Sequence, residues 1–306
     1  MSKLVIIDGN AILHRAFHAM PPLTTRNGEP INAVYGLVSM FLRIIQDLKP
    51  EAIVVTFDEK EKTFRHKEFE SYQSQRPPTH EDLSSQFEKA RDFFKATNVP
   101  VYSKPGYEAD DVIGTLAKQA TEIQSKSPTD EVVIVTGDRD LLQLVDDKKN
   151  IKLYMPVVGL SNAKLYGEKE VKERMGVPAN LIPDYKALVG DPSDNYPGVM
   201  GIGPKTAEKL LEEFGSVDKI YTHLTKIEPK IRQKLESNKN EAKLFHRLAT
   251  VVRDVPIKID FPQMEKWKID SPDVLKLFEE FGFKTLMDRI KKVGKEVDAG
   301  KQSSLF

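Results

Sequence analysis

The sequence has 306 residues, of which 40% are hydrophobic and 30% charged, and its 46 basic and 46 acidic residues give a net charge of zero. This composition excludes a disordered chain, and no apolar run reaches the ~20 residues that a helix needs to cross a membrane. The absence of cysteine excludes disulfides, cysteine-ligated zinc and thiol catalysis. Because no signal-peptide pattern opens the sequence, we expect a cytoplasmic protein, and its length favours two lobes.

Short apolar runs at residues 4–7, 52–56 and 132–135 predict strands buried on both faces, because they are rich in valine and isoleucine and do not alternate with polar residues. Amphipathic stretches at 34–48, 84–96 and 110–123 predict helices. This succession favours an α/β fold with a mostly parallel sheet flanked by helices. The strand pattern ends near residue 180. We therefore predict a catalytic domain at 1–180, a helical lobe at 181–290 and a flexible tail at 291–306, where lysine, glycine and serine are frequent.

Acidic residues follow the predicted strands where each strand ends. Asp8, Asp58 and Asp138 each come after an apolar run, and the carboxyl ends of parallel strands meet at one edge of a sheet, where ligands bind. The other candidates are Asp140 in the turn of Asp138, Glu108, Asp110 and Asp111 at the start of a predicted helix, and Asp191 and Asp194 at the junction of the lobes. Any one of them could be a helix-cap or turn residue, but the whole set favours a single acidic site.

Such a cluster of carboxylates predicts bound divalent cations, because uncompensated acids would repel one another. Carboxylate oxygens suit Mg²⁺ or Mn²⁺. Two such ions about 4 Å apart can activate water and stabilise the leaving oxygen in phosphodiester hydrolysis. Zinc fits less well: His14 and His18 could share a helix face, but Arg15 stands where a zinc protease has glutamate.

A glycine-rich segment at 198–207 precedes an amphipathic helix. It fails the phosphate-binding pattern of nucleotide hydrolases, because Pro204 separates Gly203 from Lys205 and no strand precedes it. A helix–hairpin–helix fits better, with backbone amides and a lysine facing a DNA phosphate. The alternative is a tight turn between helices. The predicted DNA-binding residues of this hairpin are Gly198, Gly201, Gly203, Lys205 and Thr206.

These motifs together resemble the 5′ nuclease family of 5′-3′ exonucleases and flap endonucleases. They are Val-Ile-Ile-Asp8-Gly-Asn, Phe57-Asp58, Gly106-Tyr-Glu108-Ala-Asp110-Asp111, Thr136-Gly-Asp138-Arg-Asp140 and Gly190-Asp191-Pro-Ser-Asp194-Asn with the hairpin after it. The resemblance extends from about residue 3 to 289. It implies a PIN-like fold with a helical arch at about 60–95 and a helix–three-turn–helix element in the second lobe.

The resemblance also implies an activity and its cofactors. We expect cleavage of branched, nicked or flapped duplex DNA, including RNA–DNA primers, in replication and repair. By motif position, a first Mg²⁺ (or Mn²⁺) would be served by Asp8, Asp58, Glu108, Asp110 and Asp111, and a second by Asp138, Asp140, Asp191 and Asp194. Family members often hold K⁺ at the hairpin. We expect a monomer in a bacterial cytoplasm, associated with the nucleoid through DNA and with no membrane partner.

The segment after Asp58 matches the arch, where Arg65, Tyr72 and Arg76 occupy family positions that steer the scissile phosphate and the threaded DNA strand, and Arg76 is counted among the catalytic residues. The sequence departs from the family at Gln73, where a lysine is usual. Glutamine donates a hydrogen bond but supplies no charge, so we expect a slower chemical step unless Arg76, Arg65 or Lys67 compensates.

The sequence ends in Gln302-Ser-Ser-Leu305-Phe306, which resembles the short peptide that docks bacterial proteins on the sliding clamp. Two alternatives to the nuclease remain open. A PIN-type ribonuclease would share the acids but would not need the hairpin at 198–205. A non-catalytic protein that binds branched DNA is indicated only by Gln73, since all nine acids are present.

Overall fold

The computed structural model describes residues 2–122, 130–158 and 162–303. The strands are β1 Lys3–Asp8, β2 Ala52–Thr56, β3 Val101–Tyr102, β4 Glu131–Val135, β5 Ile151–Val158 and β6 Asn162–Tyr166. Within the described ranges they form one six-stranded sheet in the order β3-β2-β1-β4-β5-β6. Neighbouring strands run parallel except β6, which is antiparallel to β5. The prediction of a mostly parallel sheet is confirmed.

The helices surround this sheet. Those of the first half are α1 Gly9–Ala19, α2 Asn32–Leu48, α3 Phe64–Glu68, α4 Glu81–Ser84, α5 Gln86–Ala96, α6 Ala109–Glu122 and α7 Glu168–Met175. Those of the second half are α8 Ile182–Val189, α9 Pro204–Phe214, α10 Val217–Thr222, α11 Pro229–Ser237, α12 Lys239–Ala249, α13 Phe261–Met264, α14 Pro272–Phe281 and α15 Lys284–Ser303. No helix in the described part of the chain is long and apolar enough to cross a membrane.

Local sequence explains several helix boundaries. Asp8 caps α1 by accepting a hydrogen bond from the Ala11 amide at 2.9 Å, which fixes the first acid at the end of β1. Ser271 caps α14 in the same way. The helix α14 ends at Gly282, whose φ of 76° is a left-handed conformation that glycine adopts without steric cost.

The sheet is buried on both faces because its central strands alternate between two apolar cores. In β1, Leu4 and Ile6 belong to one core, with α6 and the helices α8–α12. Val5 and Ile7 belong to the other core, with α2 and α5. Successive side chains of a strand point to opposite faces, so an uninterrupted apolar run is what a strand covered on both sides requires.

The C-terminal helices pack away from the helical lobe, on the face of the sheet that α2 and α5 cover. Phe278 of α14 stacks on Phe93 of α5 with ring centroids 6.1 Å apart. The Trp267 indole donates a hydrogen bond to the Glu51 carbonyl at 2.9 Å. The last part of the segment predicted to belong to the helical lobe therefore completes the core of the catalytic domain.

The prediction of a flexible tail at 291–306 is corrected for residues 291–303, since α15 continues to Ser303, where the described residues end. Leu286, Ile290 and Val293 are buried, and Val297 packs against the same core. Their spacing places them on one side of a helix, so apolar burial holds the backbone in spite of the lysine-rich sequence. Of the predicted clamp peptide, only the backbone of Gln302 and Ser303 lies within the described residues, and Leu305 and Phe306 lie outside them.

Candidate active site

The acids that end the central strands lie together at the carboxyl edge of the sheet. Asp8 accepts hydrogen bonds from the Ala11 amide and from the Thr136 hydroxyl, the latter at 2.7 Å. Asp58 follows β2 and accepts a bond of 2.7 Å from the Ala109 amide at the start of α6. Asp138 follows β4 and accepts one of 2.8 Å from the Asp140 amide. A backbone amide therefore orients each of these carboxylates, and at Asp8 a hydroxyl adds a second donor.

A cavity of about 480 Å³ opens above this edge. Of the predicted acids, all of which are described, those that line it are Asp8, Asp58, Glu108, Asp110, Asp138, Asp140 and Asp194. Asp191 lies behind Asp140 and Asp194, and carboxylate oxygens of these three lie within 4.8 Å of one another. The structure thus brings together acids that are up to 186 residues apart, from Asp8 to Asp194.

Burial raises the pKa of several acids in this cavity, because a charged carboxylate is less stable away from water. It raises the pKa of Asp8 to about 7, with a smaller increase from the charges of Asp58 and Asp138. It raises the pKa of Glu108 to about 7, where Arg65 opposes the increase. The pKa of Asp110 is also raised well above its usual value, first by burial and then by Asp138 and Asp8. Divalent cations would remove this penalty, and the donor set of carboxylate oxygens fits Mg²⁺ or Mn²⁺.

A second group of acids is already paired with a cation. The Lys186 ammonium donates hydrogen bonds to Asp140 Oδ1 and Asp191 Oδ2. Although burial acts to raise it, the pKa of Asp191 is lowered by this ammonium and by the Ser193 hydroxyl and amide. Lys186 was not predicted from the sequence. Its signal in the sequence is weak: it is the single cation of the stretch Ile-Pro-Asp-Tyr-Lys186-Ala-Leu-Val, five residues before Asp191.

The arch segment reaches this second group through the turn between α3 and α4. Gln73 Nε2 and Arg76 Nη2 both donate to Asp194 Oδ1, at 3.0 and 2.8 Å. The Gln73 backbone has a left-handed φ of 55°, and its amide donates to the Asp194 carbonyl at 3.1 Å. Arg76 therefore places a positive charge beside the glutamine that replaces the usual lysine of the family.

Arg65 and Asp111, which were predicted to contact DNA and a metal ion, form a buried pair with each other. Arg65 is only 2% exposed, and its guanidinium pairs with both oxygens of Asp111, at 2.7 and 2.8 Å. It also donates to the Leu248 carbonyl, while the Val252 amide donates to Asp111. Arg65 lines the cavity beside Glu108, whereas Asp111 is fully buried and does not line it. The pair joins α3 and α6 to the end of α12.

Tyr72 was predicted to contact the DNA strand, but its side chain is 4% exposed. Its hydroxyl donates to Glu108 Oε2 at 3.4 Å, and its ring contacts the His66 ring edge-on at 5.2 Å. Thr63, which was not predicted from the sequence, donates to the other oxygen of Glu108 at 3.3 Å. In this arrangement Tyr72 lines the cavity, and together with Thr63 it positions Glu108.

The hairpin before α9 divides into a packed and an open half. Gly198 is buried with a φ of 67°, and a Cβ at this position would lie 2.3 Å from the Gly190 amide nitrogen. This glycine serves close backbone packing, which corrects its predicted contact with DNA. Gly201, Gly203 and Lys205 are exposed, and Gly203 precedes the first turn of α9, to which Thr206 belongs. These open positions fit an anion at the start of a helix.

Comparison with known proteins places the chain in a family. The family model "5′-3′ exonuclease, N-terminal resolvase-like domain" matches residues 3–176, and "5′-3′ exonuclease, C-terminal SAM fold" matches 177–273. The chain is 36% identical over 309 residues to a 5′-3′ exonuclease of Aquifex aeolicus, with 100% of each chain covered.

The chain is also 43% identical over 288 residues to DNA polymerase I of Caldicellulosiruptor bescii. This match covers 94% of the chain and 33% of the polymerase, so the chain spans about a third of that relative's length. Among solved structures, a flap endonuclease of bacteriophage T5 in complex with DNA and metal ions has the same fold, with a TM-score of 0.64 and 21% identity over 96% of this chain and 98% of that one. The predicted resemblance is confirmed: the chain belongs to the 5′-3′ exonuclease family.

Proposed function

We propose that this chain hydrolyses phosphodiester bonds in DNA at 5′ ends and at 5′ flaps of branched or nicked duplexes, with two divalent cations. The observation that carries this proposal is the cavity at the carboxyl edge of the sheet, where carboxylates from β1, from the start of α6 and from the segments after β2 and β4 converge. Such a cavity is suited to hard divalent ions and to the phosphate groups that they bind. The flap endonuclease of similar fold and the Aquifex exonuclease support the same substrate class.

Two groups of acids would hold the two ions, for which Mg²⁺ is the physiological candidate. The first group is Asp8, Asp58, Glu108 and Asp110, and the second is Asp138, Asp140, Asp191 and Asp194. When bound, the ions would activate water and stabilise the leaving oxygen. K⁺ at the hairpin carbonyls is part of the same proposal.

The protein groups around the acids would position the substrate. Arg76 lies at the rim of the cavity with its side chain 51% exposed, so it can turn part of its guanidinium toward a phosphate. The exposed hairpin positions Gly201, Gly203 and Lys205 would bind duplex phosphates without reading the sequence. Because the hairpin would bind the duplex without contacting bases and the cavity would act on phosphate groups, we expect recognition of DNA shape and not of DNA sequence.

The experiment that tests this function uses a 5′-labelled flap duplex incubated with Mg²⁺, with Mn²⁺ or with EDTA. We expect cleavage near the junction with either metal and none in EDTA. Asp110→Asn should lower the single-turnover rate by about a hundredfold or more, since it removes a charged oxygen ligand. Binding without cleavage in both metals would favour a non-catalytic DNA-binding protein, and cleavage of single-stranded RNA in preference to the flap would favour a ribonuclease.

Three further features belong to this proposal. The chain would act as a monomer in the cytoplasm, with a catalytic domain at about 1–180 and a DNA-binding lobe after it. RNA–DNA primers would be processed in the same cavity. The C-terminal peptide of Gln302, Leu305 and Phe306 would dock on a sliding clamp, which would bring the nuclease to replicating DNA.

A further inference from the structure

Lys186 lies inside the group of acids assigned to the second metal ion. It is a residue of α8, and only 9% of its surface is exposed. Its Nζ donates to Asp140 Oδ1 and to Asp191 Oδ2. Since transfer of an ammonium group out of water costs free energy unless the charge is paired, the two carboxylates are the partners that allow this lysine to be buried.

The oxygens that Lys186 contacts belong to the group that best fits a divalent cation in this part of the structure. Carboxylate oxygens of Asp140, Asp191 and Asp194 lie within 4.8 Å of one another. Asp194 also has a cationic partner, since Arg76 donates to its Oδ1 at 2.8 Å. The second site therefore combines ligands suited to Mg²⁺ with protein cations that neutralise the same ligands.

We propose that Lys186 competes with the second divalent ion for Asp140 and Asp191 and thereby weakens metal binding at the second site in the DNA-free enzyme. An ion that takes both carboxylates must first displace the ammonium. The flexible four-carbon stem of lysine allows the ammonium to swing away while remaining near the site. The inference rests on the proposed function and adds the residue that controls how readily the second site fills.

The test measures Mn²⁺ binding to the full chain without DNA, by calorimetry and by electron paramagnetic resonance. In wild type we expect one tightly bound ion and a second that binds more weakly. Lys186→Met should tighten the second ion roughly ten-fold or more, which is the size by which a neighbouring charge changes the affinity of a carboxylate for a proton. The first ion should bind as in wild type. Lys186→Arg keeps the charge and should resemble wild type, and Lys169→Met on the exposed surface is the matched control.

The direction of the expected change separates competition from damage. A variant that folds poorly would lose affinity for both ions, whereas competition requires a gain at one site. A second Mn²⁺ that binds Lys186→Met no more tightly than wild type would overturn the inference, as would equal affinity for both ions in wild type. If metal binding behaves as expected but wild type leaves the flap duplex uncut, the proposed function fails and the competition stands.

Discussion

At the scale of single residues, burial decides how the acids of the cavity behave. Glu108 receives hydrogen bonds from Thr63 and Tyr72 and lies 3.2 Å from the Arg65 guanidinium, yet its pKa is raised to about 7. Burial is the largest cause, and the neighbouring charges of Asp111 and Asp58 add to it. Without bound metal, the cavity therefore stabilises the protonated acid, and ionisation opposes folding until a cation is bound.

This predicts how stability changes with pH in EDTA. Because the folded pKa of Glu108 lies above its ordinary 4.5, its stabilising contribution is fully present below pH 4.5 and is lost as the pH rises through about 7. Between about pH 5 and about pH 8, wild type should therefore lose about 1–3 kcal/mol of unfolding free energy relative to Glu108→Gln. Urea denaturation at both pH values measures the difference.

The surface variant Glu213→Gln is the control and should follow the pH dependence of wild type. Addition of Mn²⁺ should remove most of the loss, because an ion that binds only the folded protein stabilises it. Parallel stability curves for wild type and Glu108→Gln in EDTA would contradict the assignment of the raised pKa to this residue.

At the scale of elements, the glycines of the hairpin have different functions: one allows close backbone packing, and another leaves the backbone open to a ligand. Gly198 packs its backbone against Gly190, at the end of α8. A Cβ added at Gly203 would meet no atom within 4 Å beyond its chain neighbours, and the φ of this residue is −98°, so any side chain fits there sterically. The motif is recognisable in the sequence, but the division between packing and open positions depends on the neighbouring loop.

Two alanine substitutions test this division. Gly198→Ala should lower the free energy of unfolding by about 3 kcal/mol or more, because it combines a left-handed backbone with a steric clash. Gly203→Ala should change stability by less than about 1 kcal/mol, as exposed substitutions do, while lowering affinity for a flap duplex. Thermal unfolding and a DNA titration measure the two effects. Equal losses of stability in both variants would show that the division is wrong.

The sequence predicts some strands and site residues and misses others, and the difference has a physical reason. The central strands β1, β2 and β4 are covered on both faces, so each is an uninterrupted apolar run. The strand β5, which lies between β4 and the edge strand β6, carries Lys152 and Tyr154 on a less buried side, and β3 has only two residues, so neither gives that signal. The acids could be predicted because each follows a strand or opens a helix. Lys186 could not, because its pairing with Asp140 joins residues 46 positions apart.

At the scale of the whole molecule, the C-terminal segment closes the core that lies on the far side of the sheet from the helical lobe. Ile290 and Val293 of α15 are buried in the same core as Phe41 and Phe93. An amphipathic sequence predicts that one helix face is buried but does not identify the partner. This is why the segment beyond about residue 265 was predicted to belong to the lobe beside it in sequence.

This arrangement predicts that one part of the C-terminal segment stabilises the fold and that another part serves the proposed binding to a sliding clamp. Ile290→Ala should lower the free energy of unfolding by about 2–4 kcal/mol, as expected for truncation of a buried aliphatic side chain. Deletion of residues 302–306 should leave stability unchanged and abolish capture by an immobilised sliding clamp. Urea denaturation and a pull-down assay measure these outcomes. Capture of the shortened chain would remove the proposed role of the terminal peptide, and a stable Ile290→Ala would contradict the packing of α15.

The buried pair of Arg65 and Asp111 has a consequence for where DNA would be cut. Its contacts reach α3 at the base of the arch, α6 beside the acids, and the Leu248 carbonyl and Val252 amide of the helical lobe. Because breaking a buried pair of this kind costs about 3–5 kcal/mol, these parts keep a constant separation at ordinary temperatures. A duplex gripped by the hairpin would therefore meet the acids at a fixed number of nucleotides from the grip. In the proposed nuclease the distance between the hairpin and the acids would set the cut position, and this position would be the same for any DNA sequence.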